Sequence, residues 1–597
     1  MDTSTHHRRW IFGIRRRVAG AVVALAIVLM LAVVATPSAQ AQWSYAYSVL
    51  YSFKGGTDGE GPNAVVLDAQ GNLYGATSEG GASGAGTVFK VDPTGKETVL
   101  YTFTGGADGA SPWGGVVLDT QGNMYSTTFG GGAYGQGTVF KVDPSGNETT
   151  LYSFTGGPDG GQPRAGVVLD AQGNLYGTAS AGGGGFGYGT VFKVDPSGNE
   201  TVLHTFTGPP DGFWPSAGLF LDAQGNLYGT TSAGGTDNNG AVFKVDPSGN
   251  ETVLYSFGNK PDGQEPLAGL VMDLVEGHYL YGTTAYGGFG NRGGKGTVFW
   301  VDSQTGEEAV FDYFVRGRGS YPIAGLVVDP VSGNVYGTAC TGGTYNRGTV
   351  FWANPYTGDL GVLHTFSGKK GDGACPDGSL ALYLQASGRN VLYGTTASGG
   401  AYGWGTVFKM MPATATSLTS SPNPSDYGQA VTFTTVVAPA PPDGETVTFM
   451  KGKAVLGTGP LSGGTAIFTT AALRVGKTSV TAVYGGDSNF AGSTSKAVKQ
   501  VVDKYPTTTA LSSSLNPSQS AQAVTFTAQV TSSGAPPTGI VKFLDGASKL
   551  GLDRLRGGVA SFTTSKLAVG THAITAQYLG DAASDKSTSP VLDQVVQ

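Results

Sequence analysis

Gly86-Thr87-Val88-Phe89-Lys90 is the stretch on which the reading of this chain turns. It returns from Gly137, Gly189 and Gly405, with Ala241 in place of threonine from Gly240, and with Trp300 and Trp352 in place of lysine from Gly296 and Gly348. The seven copies stand 51, 52, 51, 56, 52 and 57 residues apart. Around the first copy, residues 64–68 read as a short apolar strand, and Ala69-Gln70-Gly71-Asn72 as a turn in which Gly and Asn accept positive φ. Residues 73–77 are a second strand, 79–86 a glycine-rich loop and 87–91 a third strand. Asp92-Pro93-Thr94-Gly95-Lys96 turns the chain into a fourth strand over 97–103. Four antiparallel strands in each period of about fifty residues is the pattern of a β-propeller blade. A β-helix uses shorter, parallel coils, and a sandwich does not repeat its sequence at this period.

Two further features fit that pattern. Inner strands crowd a central channel and demand small residues, which Ala64, Gly114-Gly115, Ala165-Gly166, Ala217-Gly218, Ala268-Gly269 and Ala324-Gly325 supply. The third-strand phenylalanines, from Phe89 to Phe408, are placed to wedge between blades, each burial contributing about 1.5–3 kcal/mol. The last third strand, 406–410, runs straight into Pro412 without a fourth strand, whereas the ordered chain opens with an orphan fourth strand at 47–53. The predicted fold is therefore all-β: a seven-bladed β-propeller closed by the N-terminal strand, which leaves no exposed sheet edge.

Glycine supplies 99 of 597 residues and charged residues only 13%, so a periodic β fold is expected rather than disorder. A net charge of −7 without a basic stripe argues against nucleic acid as a partner. At the N-terminus, Arg8-Arg9 and Arg15-Arg16-Arg17 precede an apolar run over 18–34 and an Ala39-Gln40-Ala41 cleavage site, so residues 1–41 read as a signal peptide. The alternative is an uncleaved anchor, since the run is long for a signal peptide. No second apolar run is long enough to span a bilayer, so no membrane span is expected after signal cleavage.

The Leu-Tyr-Ser-Phe, Gln-Gly-Asn-Leu-Tyr-Gly-Thr and Gly-Thr-Val-Phe-Lys elements resemble the GloVer tandem repeat of bacterial exported proteins, over residues 49 to 409. That resemblance implies a secreted or cell-surface protein and no particular chemistry. The fifth copy departs from the repeat at Val275-Glu276-Gly277-His278-Tyr279, and the sixth at Phe311-Asp312-Tyr313-Phe314 and Arg316-Gly317-Arg318.

Strand alternation places the tight turns on one rim and the longer loops on the other. The long loops carry aspartates (Asp58, Asp108, Asp159, Asp211, Asp262, Asp372) and aromatics (Tyr134, Phe186, Tyr188, Tyr286, Phe289, Tyr345, Tyr402, Trp404), and Trp113 and Trp214 join them. The candidate ligand-binding set is Trp113, Trp214, Tyr134, Tyr188, Tyr286, Tyr345, Tyr402 and Trp404, with Asp108 and Asp211. Rings plus carboxylates around a channel mouth suit an extracellular polysaccharide or a surface protein. The competing reading makes Asp-Gly simple turn chemistry and the aromatics blade covers. No cofactor is implied; calcium is the one ion these aspartates allow, although their spacing is not that of an EF-hand loop.

No metal-ligand motif and no catalytic residues emerge. His204 and His364 stand where other copies have tyrosine, His278 lies in a turn and His572 near the C-terminus, with no His-x-x-His spacing and no Gly-x-Ser-x-Gly elbow. Cys340 and Cys375 lie in loops of adjacent blades and either form a disulfide or remain as two buried thiols.

From Pro412 glycine thins, and two segments repeat each other at offsets of 93 to 94 residues: Val431-Thr432-Phe433 matches Val524-Thr525-Phe526, and Ala466 to Thr470 matches Ala560 to Thr564. Alternating short strands there read as two Ig-like β-sandwiches without the inter-sheet disulfide. Tyr484-Gly485-Gly486-Asp487 resembles the ending of bacterial Ig-like repeats of surface proteins, and Tyr578-Leu579-Gly580-Asp581 departs from it by one residue. The expected domains are a propeller over 42–411 and Ig-like domains over 412–503 and 504–597. A secreted or cell-surface binding and adhesion protein is the first functional expectation. A carbohydrate-active lyase or hydrolase using rim carboxylates, or a purely structural envelope protein, are the alternatives.

Overall fold

The computed structural model describes residues 44–289, 294–315, 317–369, 371–385 and 390–597. The expected signal peptide and its cleavage site lie outside them, as does Arg316. The described chain is all-β, with a short 3-10 turn at Gly56–Asp58 and no α-helix among the described residues. No helix there is long and apolar enough to cross a membrane.

Each repeat lays down antiparallel strands hydrogen-bonded in chain order. In the fourth repeat these are Phe220–Leu221, Leu227–Thr231, Ala241–Val245 and Glu251–Ser256. The turn between the first two is organised by one carboxylate. Asp222 Oδ1 accepts the amides of Gln224 and Asn226 at 2.9 and 2.8 Å, and Oδ2 accepts Asn226 Nδ2 at 2.7 Å and the Tyr228 hydroxyl at 3.1 Å. This is an Asx turn, and Asp68, Asp119 and Asp170 build the same one. In the divergent fifth repeat Asp273 still accepts the amides of Val275, Glu276, His278 and Tyr279. The innermost strands are shorter than the sequence predicts: Val66–Leu67 rather than 64–68. Before Val66 the chain packs sideways on the next sheet: Ala64 lies against Gly115, where a Cβ would lie 3.1 Å from that of Ala64.

Seven such sheets form among the described residues, the first with an extra short strand, Glu60–Pro62. The last consists of Ala381–Tyr383, Val391–Thr396, Thr406–Pro412 and the N-terminal strand Tyr45–Ser52, which sets Val49 opposite Phe408. Three contacts recur from each sheet to the next, and again from the last to the first. The glycine opening each Gly-Thr-Val-Phe motif has φ between +95° and +102°. A Cβ on it would lie 2.4–2.8 Å from Cδ of a proline in the following sheet, Pro112 for Gly86 and Pro62 for Gly405. The amide of the residue before that proline donates to the carbonyl before that glycine: Ser111 to Ala85 at 2.8 Å, and Gly61 to Trp404 at 3.2 Å. The third-strand phenylalanine meets, edge to face, the phenylalanine ending the preceding fourth strand, with centroids 5.0–5.4 Å apart from Phe53–Phe89 to Phe366–Phe408. Such pairs add about 0.5–1.5 kcal/mol beyond their burial.

A fourth device joins the fourth strands. Tyr51, Tyr101, Tyr152 and Tyr255 donate their hydroxyls to Asp58, Asp108, Asp159 and Asp262 at 2.6–3.0 Å. The glutamate opening the next fourth strand sits beside the aspartate, and Asp211 is paired with His204 instead of a tyrosine. Burial first, and then the neighbouring aspartate, push Glu97, Glu200, Glu251 and Glu308 up to about 7.

The C-terminal region holds two β-sandwiches. In the first, the sheet of Ala415–Ser421, Val431–Ala438 and Thr465–Thr470 faces the sheet built on Thr446–Lys451, Gly476–Gly486 and Val498–Asp503. Phe433, Phe449 and Tyr484 fill the space between them. In the second, Phe526, Phe543 and Tyr578 play the same part.

Gly189→Ala is expected to lower the stability of the repeat region by about 2–4 kcal/mol. Its Cβ would lie 2.5 Å from the Ala179 carbonyl and 2.7 Å from Pro215 Cδ. An unchanged denaturant midpoint would mean that the junction tolerates a side chain. The glutamates make a second prediction. Glu200 has a folded-state pKa raised above its usual 4.5 to about 7, so its contribution is fully present below pH 4.5 and is lost as pH rises toward 7. Glu200→Gln removes that loss. Its melting temperature should match the parent at pH 4.5 and exceed it at pH 8 by the equivalent of about 1 kcal/mol, after allowing for solvent screening of a half-buried group. A difference that does not vary with pH would disprove the titration.

Candidate functional site

The residue after each junction proline points to the centre of the sheet array: Asn63, Trp113, Arg164, Ser216, Leu267, Ile323 and Asp377 in sheet order. Together with the alanines and glycines that follow, they line a cavity of about 330 Å³ to which all seven repeats contribute. The proline before it recurs in every copy, and the residue after it is small, so this position carries the variation in the lining. Trp113 stacks on Phe129 at 4.1 Å, and the Arg164 guanidinium lies over both rings at 5.1 and 5.2 Å. Asp377 Oδ1 is buried and accepts no hydrogen bond among the described residues. Burial pushes its carboxyl up to about 7.

The residue before each proline is held at positive φ in every repeat. Ser111, Gln162, Trp214, Glu265, Tyr321 and Cys375 have φ of 52–60°, and Gly61 has 62°. A non-glycine residue there costs about 1–2 kcal/mol, and the recurrent amide bond to the preceding sheet offsets it. At Trp214 this conformation directs the indole outward, 52% exposed. Phe213 meets it at 5.0 Å, Tyr188 meets Phe213 at 4.9 Å, and Phe186 stacks on Tyr188 at 5.5 Å. Four aromatic rings from two adjacent repeats thus form one continuous run.

The other sequence-predicted rings are separate. Tyr134, Tyr345 and Tyr402 occupy the loop-tip position that Phe186 holds in the third repeat, three residues before the motif glycine, and Tyr134 is 62% exposed; Phe289 is exposed in a longer loop. Tyr345 lies under the Lys369 ammonium at 5.8 Å and Tyr286 beside Tyr321 at 5.4 Å. Trp404 is partly exposed, and its carbonyl closes the last junction.

The predicted aspartates are engaged within their own loops. Asp108 accepts from the Tyr101 hydroxyl and from the Thr104 amide and hydroxyl. Burial would raise it, but these bonds outweigh burial and hold it below the usual range. Asp211 accepts from the Thr207 amide and hydroxyl and the Gly212 amide, and lies 3.4 Å from His204 Nε2. There too hydrogen bonding, led by His204, overcomes burial. Cys340 and Cys375 form a disulfide with sulfurs 2.05 Å apart, between the sixth and seventh repeats. Closing its 35-residue span contributes about 3–4 kcal/mol from loop-closure entropy.

Sequence reasoning found Trp113 but missed Phe129, Arg164 and Asp377. For Arg164 and Asp377 the signal available was positional: the residue after the recurring proline changes type from copy to copy.

The Gloeobacter/Verrucomicrobia repeat matches residues 93–294 and 279–445, and the bacterial Ig-like domain (group 3) matches 418–503 and 511–597. No curated protein matches. Among solved structures, an extracellular domain from B. thetaiotaomicron described as that of a one component system is 11% identical with a TM-score of 0.39. It is matched over 92% of this chain, which spans only 58% of its length. The GH74 enzyme of Niastella koreensis is 14% identical with a TM-score of 0.39, covering 92% of this chain and 74% of that one. The GH74 xyloglucanase of Xanthomonas campestris is 13% identical with a TM-score of 0.36, covering 93% and 92%. With its repeats matched over more than half its length, the chain belongs to the Gloeobacter/Verrucomicrobia repeat family and carries two bacterial Ig-like domains of group 3.

Proposed function

We propose that the seven sheets are the blades of a closed seven-bladed β-propeller over residues 42–411, exported behind a signal peptide at 1–41. The Ig-like domains at 412–503 and 504–597 serve as its spacer. The propeller binds an extracellular ligand, a polysaccharide by preference over a surface protein, on its loop rim. Three recurrent contacts, each repeated from last sheet to first, support the ring. The observation that carries the binding role is the run Phe186–Tyr188–Phe213–Trp214, with Trp113 under Arg164 as a second platform. Exposed rings offer flat faces to the C–H surfaces of sugars, while Arg164 and Asn63 supply donors for hydroxyls.

The paired carboxylates favour this reading over the hydrolase or lyase. A depressed aspartate beside a raised glutamate is the arrangement acid–base chemistry uses. Here it recurs at successive junctions, and the tyrosine hydroxyl occupies the aspartate, as structural joints do.

Affinity electrophoresis of Ser44–Gln597, one compact unit, through gels containing soluble plant and bacterial polysaccharides tests the proposal. At least one polysaccharide should retard the protein, and Phe186→Ala with Trp214→Ala should weaken retardation about tenfold or more, with unchanged melting. Retardation by none, or retardation indifferent to both substitutions and to Trp113→Ala, would sink it. Release of reducing ends from a retarded polysaccharide would instead make the protein an enzyme.

A further inference from the structure

The joint between the third and fourth sheets differs chemically from its equivalents. His204 stands where Tyr51, Tyr101, Tyr152 and Tyr255 stand elsewhere, and it faces both Asp211 and Glu251. His204 belongs to the fourth strand Glu200–Thr205 of one sheet, Asp211 to the loop that follows, and Glu251 to the fourth strand of the next sheet. One ligand atom from each lies within 4.8 Å of the others, the only such trio among the described residues. His204 Nε2 and Asp211 Oδ2 are 3.4 Å apart. Four-coordinate zinc with bonds of about 2.0–2.1 Å holds its donors about 3.3 Å apart. That edge is therefore already formed, and Glu251 brings a carboxylate oxygen within 4.8 Å of both other ligand atoms, so that a side-chain rotation closes the triangle. Glu251 Oε1 is buried and receives no hydrogen bond among the described residues, as at Glu97, Glu200 and Glu308, but only here does a histidine face it.

The equivalent joints serve as internal comparisons. Where tyrosine replaces histidine, its hydroxyl donates to the aspartate, and a neutral phenol is a poor ligand for a divalent ion. At His364 and Asp372 the glutamate position is held by Tyr47, which stacks on the imidazole at 3.8 Å. Histidine, aspartate and glutamate coincide at one joint alone among those described.

The geometry points to a divalent-metal site at His204, Asp211 and Glu251, selective for zinc, that clips the third sheet to the fourth and keeps one coordination position for water. One imidazole and two carboxylates suit zinc; calcium demands six to eight oxygens, which this joint does not offer.

The test uses Ser44–Gln597, stripped with chelator, in zinc calorimetry and thermal melting, with calcium as control. Zinc should bind one-to-one and raise the melting temperature, while calcium should do neither. His204→Tyr installs the residue that four other joints carry, so folding is preserved, and it should weaken zinc binding about tenfold or more and abolish the shift. Glu251→Gln should weaken binding similarly, and His364→Tyr should bind as the parent does. No zinc binding by the parent overturns the proposal. So does binding that survives His204→Tyr, which would assign the ion to another group such as His278 beside Glu276 and Asp302.

Discussion

The structure depends on one close approach of backbone to backbone. At each junction a glycine in the left-handed region lies against a proline ring of the next sheet, and the residue before that proline donates its amide back across the gap. Only glycine fits the first position, because any Cβ would overlap both a carbonyl oxygen of its own sheet and the proline. Proline fits the second because it needs no amide partner where the chain turns inward. The phenylalanine pairs then fill the wedge that this approach leaves. The same three contacts join the last sheet to the first, so every sheet is gripped on two sides and the N-terminal strand is a structural part of the C-terminal repeat.

This rigid contact confines variation to a few positions. The residues flanking the junction proline and those at the tips of the glycine-rich loops change from copy to copy, while the turn aspartates, glycines and phenylalanines stay nearly the same. Chemistry therefore enters by substitution at fixed places. Trp113 and Arg164 at the cavity, Trp214 and Tyr188 on the rim, and Cys375 in its bridge to Cys340 are each one copy's use of a position that the others fill differently. His204 is a further case: a single change from tyrosine turns a hydroxyl–carboxylate joint into one rich in metal ligands.

The period, the four strands in each repeat, the turn residues and the completion of the last sheet by the N-terminal strand, read at 47–53 and found at Tyr45–Ser52, were all legible in the sequence. They rest on local rules: alternation of apolar residues, Asx turns at Asp-x-Gly-Asn, and a count of strands that comes out one short at one end. The candidate rings were legible as residue types, yet not as groups. Nothing local tells Tyr188 that Phe213, in the next repeat, will lie beside it. The aspartates were legible first as turn residues and only second as ligands; their bonds to Tyr101, Thr104 and Thr207 come from their own loops.

By itself the sequence determined that this chain is a periodic all-β protein with two C-terminal Ig-like units, because strand and turn propensities act over a few residues and survive repetition. Tertiary structure alone decided which residues share a junction. The positive φ of Gln162, Trp214, Glu265 and Tyr321 has no signal in residue type, since none of these residues favours it. It is imposed by a hydrogen bond to a neighbouring sheet about twenty-five residues away in the chain. His204 and Asp211 meet through their local spacing of seven residues, whereas the approach of Glu251 is likewise set by sheets packing side by side, which spacing along the chain does not encode.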